Sequence, residues 1–303
     1  MHLTLRQLAV FEAVAKHMNF SRAAAELHLS QPAASMQVKQ LEGNIGLPLF
    51  EQLGKKIFLT EAGRELLHYA RGIRHQLEEA QLTLEELKGL QRGTLHLTMA
   101  STANYFAPQL IAAFLRQHPN IKITLDVTNR AGLLQALDDN RTDMAIMGRP
   151  PEDHDLVGTP FMDNPLVIIA PPAHPLARRK RIALSELAEE PFIVREQDSG
   201  TRIAADRFFV EHGIRMIAGM EMSRSEAIKQ AVMAELGLGI VSLHTIEMEL
   251  ALKRLVVLKV EDFPIMRHWH IVYRKGKRFA AVPKAFKEFV KAHAQELTQP
   301  PSL

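Results

Sequence analysis

The chain has 303 residues, 47% hydrophobic and 23% charged, an ordinary globular composition with room for two or three domains. No apolar run approaches the ~18 residues that span a bilayer. The start, Met1-His2-Leu3-Thr4-Leu5-Arg6, lacks the apolar stretch of a secretory signal, and the absence of cysteine excludes disulfides and thiol catalysis, so a cytoplasmic protein is expected. The formal net charge of +3 resides in residues 1–75, where nine Lys and Arg face six Glu, so a basic segment precedes a neutral body and points to a polyanion partner.

Residues 4–17 read as a helix, with Leu5, Leu8, Phe11 or Ala15, and Val14 recurring at spacings of three and four and Thr4 able to cap it. Asn19-Phe20-Ser21 interrupts the pattern, and Ser21 suits the N-cap of a second short helix through Leu27. His28-Leu29-Ser30 reads as a turn. Ser30 then caps a third helix running to about Asn44, with Pro32 in its first turn, where a missing N–H costs nothing. Helix, short turn, helix is the helix-turn-helix pattern. Along the third helix Ala34, Val38, Leu41 and Ile45 form an apolar stripe, and Pro32, Ser35, Met36, Lys39 and Gln40 lie opposite. Ser, Gln and Lys offer donors to base edges, and Pro and Met offer apolar contact to a thymine methyl. A small bundle with a polar outer face would have the same pattern.

Leu49-Phe50-Glu51 and Ile57-Phe58-Leu59 flank Gly54-Lys55-Lys56, a hairpin with a basic tip suited to the phosphate backbone. The candidate DNA-contacting set is Ser21, Gln31, Pro32, Ala33, Ser35, Met36, Lys39, Lys55 and Lys56. Residues 61–88 read as one long helix. Leu66, Ala70, Ile73, Leu77, Ala80, Leu84 and Leu87 alternate spacings of four and three beside Glu78, Glu79, Glu85 and Glu86. Such a seam implies a dimer, although a helix docked on its own chain would also carry one.

After Gln91-Arg92-Gly93 the texture changes. Strands are expected at 94–100, 121–128, 143–147, 165–170, 191–194, 217–222, 238–242, 255–259 and 268–274. Helices are expected at 105–117, 130–138, 201–212, 225–235, 244–250 and 281–295. The alternation predicts βαβ units with parallel strands. Two strand-to-helix turns look like anion sites: Ser101-Thr102, and Ser199-Gly200-Thr201-Arg202, where Arg202 would fork onto an oxyanion. Asn129, Arg130 and Arg149 also follow predicted strands and would face the same crevice. The hydroxyls would equally serve as helix caps and the arginines as surface ion pairs.

Enzyme motifs are missing from the sequence: there is no Gly-x-Ser-x-Gly elbow, no phosphate-loop Gly-Lys-Ser/Thr and no His-Glu metal motif, so neither catalysis nor a cofactor nor a metal is expected. Gly237 and Gly239 read as a turn into a strand. His268 and His270 share a strand face without a third ligand. Arg178-Arg179-Lys180-Arg181 fits a solvated loop better than a second polyanion site.

The N-terminal segment resembles that of LysR-type transcription regulators in Leu5-Arg6-Gln7-Leu8, Phe11, Asn19-Phe20-Ser21, Ala23-Ala24, Ser30-Gln31-Pro32-Ala33-Ala34-Ser35, Leu41-Glu42, Gly46, Leu49-Phe50-Glu51 and Leu59-Thr60-Glu61-Ala62-Gly63. The resemblance implies an α/β architecture: a winged helix-turn-helix (1–60), a linker and dimerisation helix (61–90) and an effector domain (91–303). That domain would have two Rossmann-like lobes, like a periplasmic binding protein, with lobe I at 93–162 and 268–303 and lobe II at 163–267. Partners would be double-stranded operator DNA, a small anionic effector, further copies of the chain in a homodimer or homotetramer, and RNA polymerase. Within the family, the similarity is to regulators of carbon-fixation operons, in Ala100–Pro108, Asn129-Arg130, Ala145–Pro151, Asn164-Pro165-Leu166, Ser199–Arg202 and Glu226–Val232. It implies a phosphorylated effector, with an unphosphorylated organic acid and another operon as the alternative. Met36 departs from the Arg that many members carry there and cannot donate to guanine.

Overall fold

A computed structural model of the chain describes residues 3–54, 56–87 and 92–298. The chain divides near residue 90 into two compact units. The first begins with α1 (Leu5–His17), where Thr4 and Gln7 form a capping box, followed by α2 (Phe20–Glu26) and α3 (Gln31–Ile45). The cap of α2 is Asn19, whose side chain accepts from Arg22 N–H at 3.0 Å. Ser21, expected to be that cap, instead stands exposed one residue inside the helix. Asn is as good a cap as Ser, and the chain uses the earlier of the two. Strands β1 (Phe50–Leu53) and β2 (Lys56–Leu59) form an antiparallel hairpin, and α4 (Glu61–Leu87) follows. Val10, Val14, Ala23, Ala34 and Val38 build one small core, and Phe11, Leu41, Leu49 and Leu67 build a second. Gly63 belongs where it stands: a Cβ there would lie 2.1 Å from the Leu49 carbonyl oxygen.

The second unit is built on two five-stranded sheets. The first contains β3 (Gly93–Ala100), β4 (Ile121–Thr128), β5 (Met144–Met147), β6 (Leu156–Asp163) and β12 (His268–Arg274), in the order β4-β3-β5-β12-β6. Helices α5 (Ala107–Gln117) and α10 (Ala281–Leu297) cover one face through Phe114, Phe286 and Val290, and α6 (Arg130–Asp138) covers the other through Leu133 and Leu137. The second contains β7 (Leu166–Ala170), β8 (Pro191–Arg195), β9 (Ile217–Met222), β10 (Leu238–Ser242) and β11 (Val256–Val257), in the order β11-β7-β10-β8-β9. Helix α7 (Gly200–Glu211) packs Ala204, Ala205 and Phe209 on one face, and α8 (Ser225–Met233) packs Ile228 and Val232 on the other. A short α9 (Glu247–Ala251) follows β10.

The sheets are mixed rather than parallel throughout. β3 runs parallel to β4 and β5, and β8 to β9 and β10, but β12 opposes β5 and β6, and β7 opposes β10 and β11. The opposed strands are those where the chain enters or leaves a sheet. It leaves the first through Asn164-Pro165 and returns just before β12. The two crossings pair: Leu166 and Ile265 exchange both backbone hydrogen bonds at 3.0 Å, and Asn164 N–H donates to the Arg267 carbonyl at 2.7 Å. Strand β6 was not expected. Gly158 and Pro160 disguise it, and the structure accommodates Pro160 on an edge strand beside a bulge at Trp269/His270. The expected 255–259 strand shrinks to Val256–Val257.

Candidate functional site

In the first unit the helix-turn-helix sets out two faces of α3. Ser30 Oγ accepts from Ala33 N–H at 3.3 Å to start the helix, and Gly46, at φ 81°, ends it. Ala34, Val38 and Leu41 are buried and Ile45 is half-buried. Across the helix Gln31, Pro32, Met36, Lys39 and Gln40 are exposed, while Ala33 and Ser35 are half-buried. Met36 keeps 64% of its surface in water. The Glu42 carboxylate accepts from Leu49 N–H (2.8 Å) and Phe50 N–H (3.2 Å), which fixes the hairpin to the end of α3. Lys56 is exposed at the start of β2, and Lys55 lies outside the described residues.

In the second unit a small cavity, about 50 Å³, lies between the two sheets. One wall comes from the carboxyl ends of β3, β4 and β5, the other from the β8–α7 turn, and the crossings close the back. This is the crevice where ligands enter open α/β sheets. Seven of the nine expected effector residues line it: Ser101, Thr102, Asn129, Arg130, Ser199, Gly200 and Thr201. Two of them also cap helices. Ser199 Oγ accepts from Thr201 N–H at 3.3 Å, and Asn129 Oδ1 accepts from Gly132 N–H at 3.0 Å.

Arg149 and Arg202 do not line the cavity. Arg149 is exposed and pairs with Glu152 at 2.7 Å. Arg202 donates from Nε to both Asp206 oxygens (2.9 and 2.7 Å) and from Nη1 to the Arg195 carbonyl (3.0 Å), so its fork is spent within its own lobe. Polar and aromatic residues outside the expected set also line the cavity: Asn164, Arg195, Glu196, Arg267 and Trp269. Arg195 ends a parallel strand, a position that faces the crevice, so its place was readable. Arg267 precedes an antiparallel strand whose direction the sequence did not reveal.

The electrostatics separate these cations. Arg195 is buried and forms a bidentate pair with Glu196 (2.7 and 2.8 Å), with Nη1 donating to Ser225 Oγ at 3.3 Å. Arg267 has no carboxylate partner among the described residues. Burial, then repulsion from Arg130 and Arg207, pushes its guanidinium down to about 10. Burial also lowers Arg130, whose Nη1 donates to the Arg149 carbonyl at 3.2 Å. The Trp269 indole N–H is buried in the cavity wall without an acceptor among the described residues. A cavity with unpaired cations, spare hydroxyls and an unused N–H is suited to an anion.

The other candidates hold nothing further. His268 lies 3.4 Å from Asp163, His270 meets the His268 carbonyl, and no cluster of three or more metal-ligating side chains occurs among the described residues. Arg179 and Arg181 pair with Glu186 and Glu261. No helix among the described residues is long and apolar enough to cross a membrane.

Comparison with known proteins agrees with this division. Residues 5–64 match the bacterial regulatory helix-turn-helix protein, lysR family, and residues 88–295 match the LysR substrate binding domain. A RuBisCO operon transcriptional regulator of Allochromatium vinosum is 57% identical over 297 residues, covering 98% of each chain. The regulatory domain of Synechocystis PCC6803 CcmR, solved in complex with 2-PG, is 36% identical with a TM-score of 0.65, covering 68% of this chain and 99% of that one. Full-length CbnR, solved with its target DNA, shares the fold at a TM-score of 0.70 and 21% identity, over 96% of this chain and 99% of that one. A helix-turn-helix joined by one long helix to a two-sheet domain with a cleft, matched over nearly its whole length, makes this chain a member of the LysR family of DNA-binding transcriptional regulators, and not an enzyme.

Proposed function

We propose that this regulator controls carbon-fixation genes in response to a small phosphorylated metabolite bound between the two lobes of its second unit. The observation that carries the reading is the cavity, where Arg130 and Arg267 approach the start of α7 with no carboxylate at hydrogen-bonding distance among the described residues, Asp153 acting on Arg130 only from farther away. Full-length similarity to a RuBisCO operon regulator and the 2-PG complex of CcmR support the operon and the ligand class. The ligand would be held by Ser101, Thr102, Asn129 and Arg130 on one side and by Ser199, Gly200 and Thr201 on the other. Gripping both sides favours one lobe arrangement, and that preference is what allows a ligand to alter DNA binding.

The operator would be read by Gln31, Pro32, Ala33, Ser35, Met36 and Lys39, with Ser21, Lys55 and Lys56 towards the backbone. Within one chain Ile73, Leu77 and Leu84 are exposed on the α4 seam, as a dimer built on this helix requires. A homotetramer and contact with RNA polymerase complete the proposed assembly.

Thermal melting of the full chain with sugar phosphates, phosphoglycolate and unphosphorylated organic acids tests the ligand class. Binding to the native state raises Tm, by about 2.7 kcal/mol of stability at a hundred times Kd. Stabilisation by unphosphorylated acids alone would refute it. Trp269, the single tryptophan, provides a fluorescence readout in the cavity wall.

A further inference from the structure

Positive charge is not spread evenly around the cavity. At Gly200, the first residue of α7, the point where a Cβ would stand lies 3.3 Å from Arg267 Nη2 and 3.9 Å from Arg130 Nη1. Three positive ends therefore converge from three parts of the fold: the guanidinium opening α6, the guanidinium of the returning crossover, and the N-terminus of the 12-residue α7. A Cβ on Gly148 would stand 2.4 Å from Arg267 Nη2, so a glycine is needed there for Arg267 to occupy this place. The third guanidinium of the wall, Arg195, is already neutralised by Glu196. Elsewhere Ser101, Thr102, Asn164 and the unpartnered Trp269 N–H, whose ring is 2% exposed, offer only uncharged groups.

We propose that the Gly200 pole seats a doubly charged oxyanion and that the site selects its ligand by the charge on that group. A dianionic phosphoryl ester is held, while its protonated form and an isosteric monoanion are rejected. A monoanion leaves one of two neighbouring half-buried cations uncompensated, whereas a dianion compensates both. Burial, and after it repulsion from Arg130 and Arg207, lowers the Arg267 guanidinium, and a nearby anion would relieve that repulsion. The proposal deepens the phosphorylated-ligand reading above and rests on it.

The test uses the full-length protein with phosphoglycolate, inorganic phosphate, glycolate O-sulfate and glycolate as probes, read by Trp269 fluorescence and calorimetry. Glycolate O-sulfate has nearly the shape of phosphoglycolate with a single charge at that end. It should bind at least tenfold more weakly. The phosphorus resonance of bound phosphoglycolate should remain that of the dianion at least one pH unit below the free group's pKa of about 6. Phosphoglycolate affinity should fall about tenfold per unit of pH below ~6, as the free ligand protonates. Arg267→Gln, checked for folding by its melting curve, should lose about tenfold to a hundredfold in affinity. It should also let the bound phosphorus titrate closer to the free ligand, and Arg267→Lys should recover part of both effects. Equal binding of glycolate O-sulfate and phosphoglycolate, or a bound phosphorus that titrates like the free one, overturns the charge-selective pole and leaves the phosphorylated-ligand reading standing. Binding of glycolate with neither phosphoglycolate nor phosphate overturns both.

Discussion

The Lys229 ammonium sits 4.8 Å from the centroid of the Tyr105 ring, joining α8 of the second sheet to the turn that follows β3 of the first. Lys229 is 1% exposed, yet it is ion-paired to Glu226 and Glu249 at 2.7 Å each and donates to the Thr245 carbonyl at 3.0 Å. Burial alone would lower its pKa. The two carboxylates more than reverse that and hold it charged. Tyr105 Oη donates to Glu226 at 3.1 Å and closes the cluster across the lobes. Lys229→Met should therefore destabilise the second unit by about 3 kcal/mol, because it leaves the largely buried Glu249 unpaired. Tyr105→Phe keeps the ring over the cation and loses one partly exposed hydrogen bond, so it should cost about 1 kcal/mol or less. Urea unfolding of the two variants measures both, and equal costs would show that the Lys229 ion pairs contribute no more than the Tyr105 hydrogen bond.

A second buried base sets the acid limit of stability. His244 is 6% exposed beside Phe106 (centroids 5.5 Å apart), and among the described residues neither ring nitrogen makes a hydrogen bond of good geometry, the Thr298 backbone coming nearest to one. Burial lowers its pKa to about 4; the Thr298 backbone and the Asp163 charge favour the protonated ring but offset this only partly. The unfolded chain, with an ordinary histidine near 6.5, binds the proton first as pH falls. The stability from keeping His244 neutral is thus present above pH 6.5 and lost as pH drops from 6.5 towards 4, on the order of 3 kcal/mol in total. Denaturant midpoints of wild type and His244→Phe across this window test it. A difference between the two that does not change with pH would show that His244 does not set the limit.

The α3 face makes a separate prediction. Ser35→Trp on the half-buried rim of the exposed face should abolish specific operator binding while the fold is kept. Lys56→Ala should weaken specific and non-specific DNA alike and reduce the salt slope by about one. Met36→Arg places a guanidinium where the apolar side chain now stands, and a guanine at one operator position should gain about 1–3 kcal/mol of preference. Binding titrations at several salt concentrations separate these effects. Unaltered operator affinity in a folded Ser35→Trp protein would move the reading surface elsewhere.

The parts of the fold legible in the sequence were those governed by local rules. The Ala34–Val38–Leu41 stripe, the Ser30 cap and the α7 and α8 helices follow from period and capping. The expected 121–128, 130–138, 217–222, 238–242 and 268–274 elements have the bounds of β4, α6, β9, β10 and β12. What stayed hidden depends on contacts distant in sequence. Strand β6 carries Gly158 and Pro160, which a local reading takes for a loop, and only pairing with β12 makes a strand of them. Arg267 seemed unremarkable because its position depends on a returning strand that pairs with the outgoing one at Leu166/Ile265. Arg202 misled for the opposite reason. It has the right chemistry on the right helix, but Asp206 one turn later captures it.

The α4 seam tests assembly. Ile73 and Leu77 are 38% and 46% exposed in the single chain. Ile73→Asp with Leu77→Asp should give monomers on sedimentation and weaken operator binding by several orders of magnitude, since two half-sites would no longer be read together. A double variant that stays dimeric would place the principal interface on another surface.

The final prediction distinguishes a cation that binds ligand from one that holds the fold. Arg202 is 15% exposed, and its donors go to Asp206 and the Arg195 carbonyl, with Glu221 3.7 Å away. Arg130 reaches the cavity and lacks a carboxylate at hydrogen-bonding distance among the described residues. Arg202→Ala should lower stability by about 1–2 kcal/mol, because a charged hydrogen bond to a backbone carbonyl is lost while half-exposed Asp206 can still be solvated. Phosphoglycolate affinity should change by less than about threefold. Arg130→Gln should do the reverse, leaving Tm nearly unchanged, or raising it where relief of repulsion with Arg267 dominates, and losing about tenfold to a hundredfold in affinity. Calorimetry and melting curves on the two variants measure both axes. If Arg202→Ala loses the ligand at unchanged Tm, the fork leaves Asp206 when the ligand arrives, and the anion is held by α7 itself rather than by the guanidinium pair at its start.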